Sequence, residues 1–220
     1  MSSHGCLVSI DGPNGVGKSA VVASLAEKLA KRKIPAFATA QPSSGLLGQV
    51  VRSVSETCGG VALALLVAGD RLAQQDSEIA PALARGEVVV TDRYLPSSLV
   101  LQVIDGVPVD RVWAFNDCVR VPDLAVILLA DRSRIRDRLA KREQDGGRRS
   151  RFEHDPAITD REVELFDAAA MDLRRRGWPI TVIDTSRLWP FQVANQIADL
   201  IEEMVTGRPA WTPAARKHTA

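Results

Sequence analysis

An α/β fold with a parallel sheet covered on both faces is predicted from three features of the chain. About five short runs are continuously apolar rather than alternating, as strands buried on both sides are. Stretches of helical periodicity separate these runs, which is the rhythm of repeated strand–helix–strand units. A glycine-rich turn directly follows the first run, and the charged triplet Asp92-Arg93-Tyr94 follows the third. Ligands of such sheets bind beyond the carboxyl ends of the strands, so the turn and the triplet should meet at one cleft.

Taken in order, residues 6–10 form the first apolar run and residues 20–31 a helix, with Val22, Leu25, Ala26 and Leu29 on one face. Residues 34–40 read as extended, entered through Pro35 and stopped by Pro42-Ser43-Ser44-Gly45. Residues 46–56 read as helical with Val50, Val51 and Val54 inward, and 61–85 as a long helical stretch that Pro81 must restart or kink. Residues 87–92 contain the buried run Val88-Val89-Val90. Two short helices fill 97–121, split by Gly106-Val107-Pro108, before the apolar strand 124–129. A very basic helix over 133–142 leads into a Gly- and Arg-rich loop over 143–151. A helix over 157–176, a strand over 180–184 and a helix over 191–205 complete the pattern. Residues 1–206 are expected to form one domain and 207–220, with two prolines and little periodicity, a disordered tail.

Hydrophobic residues make up 45% of the 220, enough for one core, and the formal net charge of +1 gives no global attraction to nucleic acid or membrane. The runs 61–67 and 124–130 are too short to span a bilayer, and no basic segment leads into a long apolar run at the start. Cys6, Cys58 and Cys118 match no zinc spacing and read as buried or half-buried free thiols of a reducing compartment. A cytoplasmic protein is the expectation.

The first turn reads Gly12-Pro13-Asn14-Gly15-Val16-Gly17-Lys18-Ser19, the P-loop pattern in its required context of strand, turn and helix start. Backbone N–H groups and the helix dipole there face an anion. Lys18 brings a mobile charge to the outer phosphates of a nucleoside triphosphate, and the Ser19 hydroxyl can ligate Mg²⁺. Asp92, a carboxylate just beyond an apolar strand, is the second candidate Mg²⁺ ligand, with a helix cap as the lesser alternative. Arg93 can grip a phosphate bidentately, or form a surface ion pair. The loop bearing Arg148, Arg149 and Arg151 is a candidate lid over about residues 143–152, although from composition alone a solvated loop fits equally.

The chain is similar to the thymidylate (dTMP) kinases, nucleoside-monophosphate kinases with a P-loop, from about residue 7 to 204. The resemblance is carried by residues 65–71, by 81–94 continuing to Ser97-Ser98-Leu99, by Pro122-Asp123-Leu124, Arg151-Phe152-Glu153 and Val182-Ile183-Asp184. It implies a P-loop kinase fold: a five-stranded parallel sheet with helices on both faces and a lid. It further implies ATP with Mg²⁺ as donor, a pyrimidine nucleotide, dTMP or a relative, as acceptor, and a homodimer. By resemblance Arg93 holds the acceptor phosphate and Arg71 faces the base. Gln102 matches an acceptor-pocket glutamine, with Gln41, Pro42, Val67, Ser98 and Leu101 around it. Thr185, Ser186 and Arg187 fall where the family lines the donor adenine. The P-loop carries no arginine, as in relatives whose lid supplies it, so Arg148, Arg149 or Arg151 is expected at the transferring phosphoryl.

Four positions depart from the family's usual residues. Ala40 replaces an arginine, Val67 a stacking phenylalanine, Leu101 a tyrosine by the sugar, and Asn14 a P-loop aspartate. All concern the acceptor half or its border. A kinase diverged toward another nucleotide, a nucleoside or a small metabolite is therefore the alternative. A nucleotide-binding protein without turnover fits less well with Lys18, Ser19, Asp92 and Arg93 all present. No guanine-reading Asn-Lys-x-Asp is found.

Overall fold

The computed structural model describes residues 5–146, 150–153 and 155–207. The strands are β1 (Cys6–Asp11), β2 (Ala36–Ala40), β3 (Val88–Asp92), β4 (Leu124–Leu129) and β5 (Ile180–Asp184). They form one five-stranded sheet in the order β2-β3-β1-β4-β5, and every neighbouring pair is parallel. β1 is central, pairing Ile10 with Asp92 on one side and with Val126 on the other. That register brings the P-loop and the Asp92 triplet to the same sheet edge, as predicted.

The helices are α1 (Lys18–Lys31), α2 (Leu46–Val54), α3 (Gly60–Gln74), α4 (Ala80–Ala84), α5 (Leu95–Ile104), α6 (Val109–Phe115), α7 (Arg132–Gln144), α8 (Pro156–Arg175) and α9 (Pro190–Thr206). The period of two along the strands divides the core. Cys6, Val8 and Ile10 of β1 join Val88, Val90, Val126 and Leu128 against Leu25 and Leu29 of α1 and Val193, Ile197 and Ile201 of α9. Leu7, Val89 and Ile127 point the other way, onto Leu99 and Val100 of α5 and Phe166 and Leu173 of α8. Each such side chain contributes about 1.5–3 kcal/mol on burial, so both faces hold the sheet.

Several sequence-based expectations change in detail. Helix α1 begins at Lys18 because Gly17, at φ 104°, supplies the left-handed residue before it. In α2, Val51 is buried but Val50 is 38% exposed. Val50 sits about 100° round the helix from Val51 and falls on the solvent side of this short helix's narrow buried stripe. The stretch 61–85 is interrupted by a π-helical turn, Gln75–Ile79, and restarts at α4 with Pro81 in its first turn. A proline there has no N–H to give the preceding turn, and a wider turn accommodates the missing bond. Cys6 is buried, Cys58 half-buried and Cys118 exposed, all as free thiols. Burial, and then Asp123, pushes the Cys6 thiol up to about 11. Among the described residues no helix is long and apolar enough to cross a membrane. The expected tail beyond residue 207 lies outside the described residues.

Candidate active site

The P-loop leaves β1 at Asp11, whose buried carboxylate ties the two halves of the cleft together. Its Oδ1 accepts from the backbone N–H of Tyr94 at 2.9 Å, the N–H of Ser97 at 3.0 Å and the Ser97 hydroxyl at 2.7 Å. It thereby caps the start of α5 from a neighbouring strand and fixes the turn after β3. The close approach of the P-loop to β4 requires glycine at position 12. A Cβ on Gly12 would lie 2.3 Å from the Leu128 carbonyl oxygen, and its φ is 144°.

Lys18 is buried and its Nζ donates to the carbonyls of Gly12 and Pro13, each at 2.9 Å. Burial first, and the nearby Arg93 second, push its ammonium down to about 7, against the opposing pull of Asp92, Glu162 and Asp11. The Ser19 hydroxyl donates to Asp92 Oδ2 at 2.6 Å. Asp92 Oδ1 is buried with no hydrogen-bond partner among the described residues. Arg93 adopts φ 74°, a left-handed conformation that costs a non-glycine residue about 1–2 kcal/mol. Its N–H donates to the Ile10 carbonyl at 2.9 Å, and its carbonyl accepts from Thr91 Oγ1 at 2.8 Å. Its Nη2 donates to Asn14 Oδ1 at 2.6 Å.

Two cavities open from this point. The first, about 500 Å³, is lined by Asn14, Gly15, Val16, Gly17, Lys18, Ser19, Asp92, Arg93 and Thr185, and extends to Arg138, Leu188 and Trp189. Arg138 Nη1 donates to the Val16 carbonyl at 2.8 Å and its Nη2 to the Thr185 carbonyl at 3.1 Å, joining the P-loop to the segment after β5. Ser186 and Arg187 do not line this cavity; they line a hollow beside it with Arg134, Asp137 and Trp189. Ser186 instead bonds the Asp184 carboxylate through its hydroxyl and N–H, which holds that carboxyl below its ordinary range.

The second cavity, about 210 Å³, is lined by Gln41, Pro42, Val67, Arg71, Arg93, Ser98, Leu101 and Gln102 together with Phe152. Every residue read from sequence as acceptor-binding is thus brought to one pocket. Arg71 is almost fully buried, donating to Gln41 Oε1 at 2.8 Å, Ser98 Oγ at 2.6 Å and the Asn116 side-chain carbonyl. Its guanidinium is lowered to about 10, by burial. Gln102 Oε1, also buried, has no hydrogen-bond partner among the described residues. Arg93 and Asn14 line both cavities and form their common wall. A P-loop cavity sharing one arginine with a pocket of pyrimidine size is the arrangement that two substrates exchanging a phosphoryl group require.

The sequence profile described as thymidylate kinase matches residues 10–187. The chain belongs to the thymidylate kinase family. A probable thymidylate kinase of Caldivirga maquilingensis is 34% identical over 205 residues, covering 91% of this chain and 95% of the relative. One from Pyrobaculum aerophilum is 35% identical over 202 residues, covering 90% and 97%. The thymidylate kinase of Xanthomonas campestris is 36% identical over 131 residues, 58% of this chain and 57% of that one. The chain is accordingly a nucleotide kinase, an ATP-binding transferase.

Within this family member, two expected site residues, Arg148 and Arg149, lie outside the described residues. Arg151 does not face the P-loop cavity in this structure. Its guanidinium pairs with Asp105 and lies over the Phe152 ring, 4.3 Å from the centroid, while its N–H donates to Glu56 Oε2 at 3.0 Å. The Asp105 carboxylate, buried but for 6% of its side chain, holds the guanidinium there by a charge-assisted pair.

Sequence reasoning missed Asp11, Arg138, Asn116 and Glu162. Glu162 had a legible signal: it stands at helical spacing with Phe166, Ala169 and Leu173, a charge on the buried face of α8. It is fully buried and accepts from both the N–H and the side-chain amide of Asn14.

Proposed function

We propose that this protein transfers the γ-phosphoryl of ATP to the phosphate of dTMP, giving dTDP and ADP. The observation that carries the reading is the shared wall: Arg93 and Asn14 line both the P-loop cavity and the pyrimidine-sized pocket. ATP would lie with its phosphates on the N–H groups of Gly15 to Ser19 and its base toward Thr185. The acceptor phosphate would meet Arg93, and an unprotonated acceptor oxygen would attack the γ-phosphorus. The bond from that phosphorus to the bridging oxygen breaks, the electron pair leaves on ADP, and no general base is required. The protein's work is positioning and charge stabilisation.

Lys18 and Arg93 supply fixed positive charge across the reacting centre. Mg²⁺ suits the donor set: the Ser19 hydroxyl and Asp92 adjoin, and Asp92 Oδ1 is buried without a partner among the described residues. Those two residues would hold the ion, which supplies charge neutralisation on the phosphates when bound. The lid over about 143–152, within a single domain 1–206, would close on the donor with Arg148 or Arg149. An arginine at that point is worth about a thousandfold or more in rate.

The reading includes a cytoplasmic homodimer. Leu46, Leu47 and Val50 of α2 and Val61 and Leu65 of α3 are exposed on two helices that pack together, a surface suited to a second copy. Val67 and Leu101 at the acceptor pocket favour, as a second reading, an enzyme with a different or broader acceptor range. A phosphoacceptor screen with magnesium-ATP across pyrimidine monophosphates and nucleosides tests both. Transfer to dTMP ahead of all others supports the first; transfer to another acceptor with little to dTMP overturns it.

A further inference from the structure

The mechanism above makes no use of Glu162, yet this fully buried carboxylate lies one residue removed from the reacting centre. It accepts from the Asn14 N–H at 3.0 Å through Oε2 and from Asn14 Nδ2 at 2.8 Å through Oε1. Asn14 Oδ1 then accepts from Arg93 Nη2 at 2.6 Å. An ionised carboxylate only accepts and a guanidinium only donates, so the Asn14 amide has one orientation that satisfies both neighbours. Glu162 is held by α8, whose Phe166 and Leu173 are in the core, so the clamp is anchored to the hydrophobic core. Burial pushes the Glu162 carboxyl up, while the Asn14 N–H and the neighbouring Lys18 and Arg93 pull it back toward the ionised form that this hydrogen-bond pattern needs.

We propose that Glu162 is a positioning residue for phosphoryl transfer, acting through Asn14 to aim Arg93 at the acceptor phosphate. The proposal rests on the function proposed above. It makes Asn14 and Glu162 a matched pair: the P-loop side chain is a neutral amide because its carboxylate stands one hydrogen bond further out, on α8. The pairing can be exchanged. In an Asn14→Asp/Glu162→Gln double variant, the new amide at position 162 would accept from the residue-14 N–H through its carbonyl and donate to the residue-14 carboxylate. That carboxylate would still accept from Arg93, with net charge unchanged. Either single change breaks the chain. Asn14→Asp sets two carboxylates face to face, and Glu162→Gln presents an amide donor to one of two Asn14 donors.

The test compares the four proteins well below their melting temperatures. The readouts are kcat/KM for dTMP with magnesium-ATP and the equilibrium affinities for dTMP, thymidine and ATP. Each single variant is expected to lose about tenfold or more in kcat/KM and in dTMP affinity, with thymidine affinity changed less than about twofold. The double variant should recover to within about threefold of wild type in both. Singles that bind dTMP and thymidine equally badly, or that melt lower but keep wild-type constants, reduce Glu162 to a structural residue. A double variant no better than the worse single also overturns the relay. A wild-type protein that neither binds nor phosphorylates dTMP refutes the proposed function instead. The relay is then decided by the cycle on ATP affinity measured without acceptor, because the clamp on the Asn14 N–H shapes the P-loop. Rescue there keeps it, and additive losses end it.

Discussion

The Ser19 hydroxyl donates to Asp92 Oδ2 at 2.6 Å, while Asp92 Oδ1 stays buried without a hydrogen-bond partner among the described residues. A buried acceptor left unpaired costs about 1–3 kcal/mol, which a bound cation would recover. Asp92→Ala should therefore leave ATP affinity in the absence of Mg²⁺ nearly unchanged and abolish the gain that Mg²⁺ produces, with kcat reduced by about a hundredfold or more. Calorimetric ATP titrations with and without Mg²⁺ check this. An undiminished Mg²⁺-dependent gain in the variant would remove Asp92 from the metal site.

Lys18 makes the donor site pH-sensitive. Its ammonium is lowered to about 7 by burial and Arg93, from an ordinary 10.5. Between those values the unfolded chain holds a proton that the free folded protein has released, so this group makes apo stability rise with pH across the window. Triphosphate in the loop restores the charge by pulling the ammonium up again. ATP binding at pH 8 should thus take up a proton, and ATP affinity should fall as pH rises above about 7. Titrations in buffers of different ionisation heat measure the uptake directly. Lys18→Ala should abolish both the uptake and nearly all turnover, and a folded variant that keeps either would contradict the assignment.

What the sequence made legible follows from local physics. β4 is readable to the residue because it is a continuous apolar run, β5 because Ile180, Val182 and Ile183 stand between Pro179 and the polar turn that follows Asp184, and the P-loop because its chemistry fixes glycine and lysine spacing. The π-helical turn at Gln75–Ile79 was invisible, since Pro81 announces a break but not its form. The polar ties from Asp11 to Ser97 and from Glu162 to Asn14 span 86 and 148 residues of chain. No local pattern encodes such partners. Only the misplaced charge of Glu162 on an apolar helix face pointed inward.

The lid divides by position. Arg151 is committed to Asp105 and Glu56 beside the second cavity, so Arg151→Ala should raise the acceptor KM severalfold and leave kcat near wild type. Of the three arginines proposed for the lid, Arg148 and Arg149 are then the two left to meet the transferring group. Their double alanine variant should lower kcat by about a hundredfold or more, with KM for ATP moved less than about threefold. Steady-state kinetics on both variants decide; a normal kcat in the double variant would show that the lid contributes no transition-state charge.

The acceptor pocket sets the last expectation. Gln102 Oε1 is buried, without a partner among the described residues, in a cavity of about 210 Å³ with Val51, Leu63, Val67 and Leu101 among its walls. The N3–H of thymine or uracil is a donor that satisfies this oxygen, whereas cytosine presents a lone pair there. Discrimination against dCMP should be about a hundredfold or more, since a buried polar group left unpaired is what makes such selection strong. The thymine methyl adds only apolar contact, about 0.8 kcal/mol, so dTMP should exceed dUMP by about fourfold. Leu101 offers no polar atom beside the sugar and Val67 no ring for the base to stack on. Selection of dUMP over UMP should therefore stay within about tenfold. Measuring kcat/KM for dTMP, dUMP, UMP and dCMP with magnesium-ATP separates these contributions. If dCMP rivals dTMP, Gln102 does not read N3. If UMP is rejected about a thousandfold, another residue selects the deoxyribose in place of the one lost at Leu101. A dTMP value of about 10⁴ M⁻¹s⁻¹ or above, ahead of the other three, fits an enzyme working on its own substrate. A far lower value beside a better acceptor would assign the pocket to that acceptor.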